Sequence, residues 1–298
     1  MAPLTSIRTE NGKLEIVNQL LLPHTTEFLE IKTVEEAHDA IKTMKIRGAP
    51  AIASLASLWL SYHLTESLEA SPIPAYLSST EALKAHVEGI LAFLYTARPT
   101  AVNLGAATRR LQNTLTASLA AKSDLLAIAK AIIAEGKLIA DEDVGRNKEM
   151  SKWGAEWLLE RVGAENAASG LNVMTVCNTG SLATSVREPL QYYLLTALEL
   201  QTLQIPSVML CDTMVGSLLQ HHNIHAIEAC LVRGALYPGT GNPTDEQAVV
   251  LITPRGLDGI YNPSFDVTPA ELITAIVTEK GVAVRKDGEK TFDLSGIV

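Results

Sequence analysis

Arg47 and Gly48 stand directly before Ala49 and Pro50, between an amphipathic helical pattern and the apolar run 51–64. Arginine keeps its charge and presents a planar fork of donors that suits phosphate oxygens. Glycine lets the backbone turn or approach a ligand closely, and proline suits the first turn of a helix. Because a helix N-terminus offers free amides and a positive dipole end, this pattern indicates an anion site. The alternative is an ordinary loop with a surface arginine before a proline-started helix.

A second arginine has the same surroundings. Arg98 precedes Pro99, and Asn103 follows within the next helical pattern. Two arginines at two proline-started helices favour a substrate that carries one strongly anionic group.

Two short apolar runs predict buried strands at 173–177 and 207–211. Cys177 ends the first run, and Asp212 directly follows the second. Ligands of open parallel sheets bind beyond the carboxyl ends of the strands, where these two side chains are expected. A carboxyl group among apolar neighbours can act as a general acid near neutral pH, and a thiol beside a helix N-terminus can ionise readily. The alternatives are a small buried hydrophobe for Cys177 and a helix N-cap for Asp212.

Three further segments carry weaker signals. The polar segment 178–184 after Cys177 suits a phosphate cradle or a capped turn equally well. A histidine group at 221–225 has no fourth ligand nearby, so we predict no metal site there. The segment 238–243 lacks the lysine of a P-loop and is typical of a flexible loop.

The elements that must position these residues change character along the chain. Residues 1 to about 30 predict short strands and turns, followed by alanine-rich helical patterns at 34–44, 51–67, 79–95, 100–119, 123–135 and 141–162. Strand and helix patterns then alternate, with a third strand at 226–232, which indicates right-handed crossovers and a parallel sheet. We therefore predict an α/β protein, with a mainly helical N-terminal domain at residues 1–135 and a Rossmann-like domain at 136–298 that carries Cys177 and Asp212.

Composition excludes several classes of function. The 298 residues are 47% hydrophobic and 19% charged, which is typical of a globular protein with a sizeable core. The net charge of -9 argues against nucleic acids and anionic membranes as partners. The N-terminus lacks the pattern of a signal peptide, no apolar run is long enough to span a bilayer, and three scattered cysteines do not form a disulfide framework. We expect a soluble intracellular protein.

Six motifs together resemble the methylthioribose-1-phosphate isomerase family of methionine salvage, in its fungal form. They are MKIRGAPAIA, RPTAVNL, EDVGRN, CNTGSLAT, CDTMV and NPSFDVTPAELITAIVTEKGV, and they occur in family order. The same superfamily includes ribose-1,5-bisphosphate isomerase and the regulatory subunits of a translation-initiation nucleotide exchange factor. CNTGSLAT and the aspartate after the next strand favour the isomerase branch.

The resemblance implies a role for each matched residue. Arg47, Gly48 and Ala49 match the phosphate-binding loop, Arg98 a second substrate-binding arginine, and Gln191 a substrate-binding glutamine. Asp212 matches the proton donor, and Cys177 the cysteine that assists the transition state. The resemblance implies no metal or other cofactor, a small sugar phosphate as substrate, and a homodimer in the cytoplasm, with the nucleus as a second location.

The chain departs from the family at two internal places. The turn, helix and strand that follow CNTGSLATS in the family are missing, and so is the block with a GADR motif and an Asn-Lys pair after the Asp212 helix. Losing strands from a parallel sheet exposes apolar faces and unpaired edges. We hypothesise that the chain is a shortened product of an isomerase gene, through alternative splicing or an inaccurate gene assignment. Sequencing the transcript tests this, since the absence of a longer reading frame would reject it.

Overall fold

The computed structural model of the protein describes residues 5–10, 12–22, 24–163, 170–175, 200, 204–210, 214–228 and 268–297. The chain begins with an antiparallel sheet of three strands in sequence order, as predicted. Ile7 pairs with Ile16 and Glu15 with Glu30 across the sheet. The strands are β1 (Ile7–Glu10), β2 (Lys13–Val17) and β3 (Phe28–Glu30).

Five helices follow, close to the predicted positions. They are α1 (Val34–Lys42), α2 (Ala49–Glu69), α3 (Thr80–Thr96), α4 (Val102–Ala120) and α5 (Leu125–Val162), with a 3-10 turn at Ala75–Leu77 before α3. Thr33 and Glu36 form a capping box at the start of α1.

Helix α2 lies at the centre of the helical part of the chain. It packs against α4 and α5, and most of its residues up to Leu64 are buried because neighbours cover it on several sides. Its buried residues include Ile52, Leu55, Leu60 and Leu64, all at most 1% exposed.

The prediction of two separate helices at 123–135 and 141–162 is wrong, because α5 runs through both without interruption. Gly136 lies between the two predicted helices and faces α2. A Cβ atom there would lie 2.6 Å from the carbonyl oxygen of Ser57, so the glycine allows the two helices to approach closely. The domain division stays a prediction, and its boundary at residue 135 falls inside α5.

A parallel pair of strands confirms the α/β architecture of the second half. Strand β4 (Val173–Thr175) pairs with β5 (Ala226–Glu228), and helix α6 (Val215–His221) lies between them in sequence. The strand predicted at 207–211 is wrong over its described part, since residues 205–210 form no regular structure. Val208 and Met209 are 75% and 64% exposed. An apolar run forms a strand only where a neighbouring strand accepts its backbone hydrogen bonds, and no strand of the described chain does so here.

The described chain ends with an antiparallel hairpin, β6 (Ala275–Thr278) and β7 (Gly281–Val284). The hairpin packs on α5, where the side chain of Val277 lies close to Gly154. No helix in the described part of the chain combines the length and the apolar character needed to cross a membrane.

Candidate phosphate-binding site

A buried anchor sets the geometry of the turn before α2. Ile46 is fully buried, and its amide donates to the carbonyl of Ala40 at 3.2 Å. The carbonyl of Lys45 accepts from the amide of Gln19 at 2.8 Å. The peptide group between Lys45 and Ile46, directly before Arg47, is therefore hydrogen-bonded at both its carbonyl and its amide.

Gly48 gives this turn a conformation that other residues rarely adopt. Its φ is 107° and its ψ is 127°, in a region that L side chains disfavour. Its carbonyl accepts the amide of Ile52 at 3.1 Å, which begins α2. Ala49 and Pro50 then form the first positions of the helix, as the sequence predicts.

The N-terminus of α2 has no side-chain cap and no acidic residue in its first turn. Helix α4 is alike in both respects, because Ala101 occupies its N-cap position. In contrast, the helices α1, α3 and α5 are each capped by a side chain, from Thr33, Ser79 and Asp124 respectively. The two helices that follow the arginines therefore leave first-turn amides available to an anion.

Arg47 itself is poised to bind an anion. Its Nε is buried and has no hydrogen-bond partner among the described residues. An unpartnered buried donor on a cation costs free energy that a bound anion would recover. Among the described ion pairs, none involves Arg47 or Arg98, so neither charge is neutralised there.

Arg98 lies in the short connection between α3 and α4. Its side chain is partly exposed, and its carbonyl accepts the amide of Ala101 at 3.0 Å. Because α2 packs against α4, both arginines precede helices of one packed unit. Each of the two helix starts can bind a phosphate through its guanidinium group and its helix amides.

Three predicted site residues lie outside the described residues: Cys177, Gln191 and Asp212. Strand β4 ends two positions before Cys177, and α6 begins three positions after Asp212. Their roles stay predictions.

One histidine near α6, His225, makes a contact with the backbone. The amide of Asn172 donates to Nδ1 of His225 at 2.9 Å, which ties the start of β4 to the start of β5. Among the described residues, no group of three or more histidine, cysteine or acidic side chains is arranged to hold a metal ion.

A cavity of about 330 Å³, which was not predicted from the sequence, lies between α2 and the N-terminal sheet. One face of α2 lines it through Trp59, Tyr62, His63 and Glu66, and Lys13 and Lys32 lie on the sheet side. The four α2 positions have helical i, i+3, i+4, i+7 spacing, which is the signal that could have found this face. Arg47 and Arg98 do not line it, so the candidate phosphate site is a different place.

Sequence comparison relates the chain to a known family. The profile of the initiation factor 2 subunit family matches residues 45–235 and 242–284. A methylthioribose-1-phosphate isomerase of Laccaria bicolor is 53% identical over 382 aligned positions, which cover 99% of this chain and all of that protein. The isomerase of Postia placenta is also 53% identical, with full coverage of both chains. The isomerase of Cryptococcus neoformans is 39% identical over 99% of this chain.

The length of these alignments confirms that the chain is internally shortened. A chain of 298 residues aligned over 382 positions leaves at least 84 positions without a counterpart. Both ends are matched, because 99% of this chain and all of the Laccaria bicolor protein are covered, so most of these positions are internal.

Two solved structures share the fold. The delta subunit of the translation initiation factor eIF-2B from A. fulgidus superimposes with a TM-score of 0.64 at 25% identity, covering 94% of this chain and 96% of that one. The 5-methylthioribose 1-phosphate isomerase of Pyrococcus horikoshii gives 0.63 at 24% identity, covering 94% and 92%.

Proposed function

Because the chain belongs to the initiation factor 2 subunit family, we propose that it is the isomerase of this family that converts 5-methylthioribose 1-phosphate to 5-methylthioribulose 1-phosphate. The observation that carries the proposal is the 53% identity, over the whole chain, with two proteins of that name. The reaction belongs to methionine salvage.

The substrate phosphate would lie at the N-terminus of α2. Arg47 would donate to its oxygens, and the turn at Gly48 and Ala49 would present backbone amides. The unpartnered Nε of Arg47 and the uncapped start of α2 support this placement. Arg98, before the uncapped start of α4, would hold the same anionic group or the adjoining sugar.

The phosphate on C1 prevents simple opening of the ring, so the enzyme must supply an acid. We assign Asp212 as the donor of a proton to the ring oxygen. The bond between C1 and this oxygen then breaks, and the oxygen takes the bonding electron pair. The hydrogen on C2 then moves to C1, and the C2 hydroxyl loses its proton as the ketone forms. One proton is given and one released, so the product is an isomer.

Cys177 would assist the hydrogen transfer, and Gln191 would hold the sugar. Both an enolate and a hydride route satisfy this balance, and an apolar wall suits either by excluding water from the intermediate. The proposed reaction uses neither a metal ion nor a nucleotide.

The Asp212→Asn variant tests this assignment, because asparagine has a similar shape but no acidic proton. We expect turnover to be abolished while inorganic phosphate still binds with the affinity of the unaltered protein. Cys177→Ser serves as the parallel variant, and we expect it to slow turnover while retaining phosphate affinity. Turnover retained by Asp212→Asn would reject the role of the aspartate.

A second candidate is a catalytically inactive sugar-phosphate-binding or regulatory homologue. The likeness to an eIF-2B delta subunit and the loss of at least 84 aligned positions favour it. Substrate binding without turnover would distinguish it from the isomerase. Ribose-1,5-bisphosphate isomerase is a third candidate. Activity on a doubly phosphorylated sugar alone would identify it.

The relationship to the methylthioribose-1-phosphate isomerases supports a homodimer in the cytoplasm, with the nucleus as a second location. Light scattering after size-exclusion chromatography tests the dimer, since a mass near twice 32.0 kDa is expected.

A further inference from the structure

The turn that carries Arg98 is fixed at two successive carbonyl groups. The carbonyl of Arg98 accepts the amide of Ala101 at 3.0 Å. The carbonyl of Pro99 accepts the hydroxyl of Tyr95 at 2.7 Å. The first bond belongs to the turn itself, whereas the second comes from the last full turn of α3. Tyr95 therefore ties the Arg98 turn to a rigid helix.

The ring of Tyr95 reaches this position by lying against the first turn of α4. A Cβ atom on Gly105 would lie 3.2 Å from Cε2 of Tyr95 and 3.1 Å from Nη1 of Arg109. Contacts that short require the neighbours to move, so the absence of a side chain at Gly105 leaves room for the ring. The tyrosine thus touches both ends of the connection between α3 and α4.

The exposure of Tyr95 to solvent argues against a purely structural role. The residue is 38% exposed and is not part of the buried core. A hydroxyl that held the fold together would be expected within the core, where an unmade hydrogen bond is costly. The bond instead acts on one exposed connection, and the charged side chain in that connection is Arg98.

We propose that Tyr95 is a positioning residue that presents Arg98 to the substrate phosphate, through its hydrogen bond to the carbonyl of Pro99. This inference rests on the proposed function in one respect, which is that Arg98 contacts the anionic group. Without the bond, the Arg98 turn samples more conformations, and binding must then restore the productive one.

A double-mutant cycle with Tyr95→Phe and Arg98→Ala tests the proposal. We expect Tyr95→Phe to raise both the KM for methylthioribose 1-phosphate and the Kd for inorganic phosphate by about 2–10-fold, the range of one neutral hydrogen bond. We expect kcat to stay the same, because the bond affects binding and not the chemical step. In the Arg98→Ala background, the same substitution should change neither constant further.

Tyr76→Phe is the matched control. It also removes a hydrogen-bonded hydroxyl, which contacts Ser67 and His63 away from the Arg98 turn. We expect it to lower Tm and to leave the phosphate Kd unchanged. A Tyr95→Phe protein with unaltered phosphate affinity, or one equally weakened with and without Arg98, would overturn the proposal.

The phosphate measurements separate this inference from the proposed function. If the unaltered protein shows no turnover but the cycle shows coupling between Tyr95 and Arg98 in phosphate binding, the isomerase proposal fails and the positioning role stands. If the unaltered protein turns over the substrate but Tyr95 and Arg98 show no coupling in phosphate binding, the isomerase proposal stands and the positioning role fails.

Discussion

The Nε2 atoms of His63 and His86 lie 2.8 Å apart, which joins α2 to α3 by a hydrogen bond between two imidazoles. The hydroxyl of Tyr76 lies 3.1 Å from the same atom of His63, and the ring of Trp59 stacks on the His63 ring. Two facing Nε2 atoms cannot both carry protons. Burial, and secondarily the neighbouring His86, lower the pKa of His63 to about 4, and burial lowers the pKa of His86.

We therefore expect the protein to lose stability as the pH falls from about 6.5 to about 4. The unfolded chain binds a proton at His63 near pH 6.5, whereas the folded chain resists it until about pH 4, so acid favours unfolding. The loss should reach about 2–3 kcal/mol at the acidic end. Urea unfolding at pH 7.5, 5.5 and 4.5 measures the free energy of unfolding at each pH.

The control for this pH dependence is a histidine outside the cluster. Replacing His63 with glutamine should flatten the dependence, because the amide does not titrate in this range. Replacing the exposed His222 with glutamine should leave it as in the unaltered protein. Equal pH dependence in all three proteins would show that the imidazole pair is not responsible.

Gly136→Ala should destabilise the protein by about 1–3 kcal/mol, the usual cost of overpacking. The added Cβ would lie 2.6 Å from the carbonyl oxygen of Ser57 and would force α2 and α5 apart. The matched variant is Gly145→Ala in the same helix, where a Cβ meets nothing within 4 Å. Alanine there should stabilise the protein by up to about 1 kcal/mol through helix propensity. Thermal unfolding of both variants, with shifts of Tm in opposite directions, is the expected result.

Arg47→Ala should weaken the binding of inorganic phosphate by about 10–100-fold, because charge-assisted hydrogen bonds are lost. Arg47→Lys should give an intermediate affinity, since lysine keeps the charge but lacks the planar fork. Isothermal titration calorimetry measures both. The control is Arg161→Ala, at the far end of α5, which removes a cation–π contact with Trp157. Phosphate affinity that does not change on removing Arg47 would place the anion elsewhere.

Local signals in the sequence account for the parts of the fold that were predicted. Thr33 and Pro50 each mark a helix start through their own chemistry, so α1 and α2 could be located within a few residues. Pro99 was predicted to start the next helix, but it lies in the turn before the N-cap Ala101, and α4 begins at Val102. The arginine and glycine before α2 lie next to such a signal. The anion site could therefore be proposed without knowledge of tertiary contacts.

Tertiary contacts account for what the sequence analysis missed. Gly136 was predicted to separate two helices, but it lies inside α5 and contacts Ser57 of α2. That contact could not be predicted, because Ser57 is far away in the sequence. His63 and His86 are 23 positions apart, and no periodicity links them. The apolar run at 207–210 satisfies the pattern of a buried strand, but a strand also needs a partner, and a partner is a property of the whole sheet.

The most direct measurement is the turnover of 5-methylthioribose 1-phosphate by the purified 298-residue protein, followed by phosphorus NMR. We predict that the substrate resonance decays while that of 5-methylthioribulose 1-phosphate grows, without added metal or nucleotide. A cooperatively folded protein that binds phosphate but leaves the substrate resonance unchanged would contradict the account and favour a regulatory role.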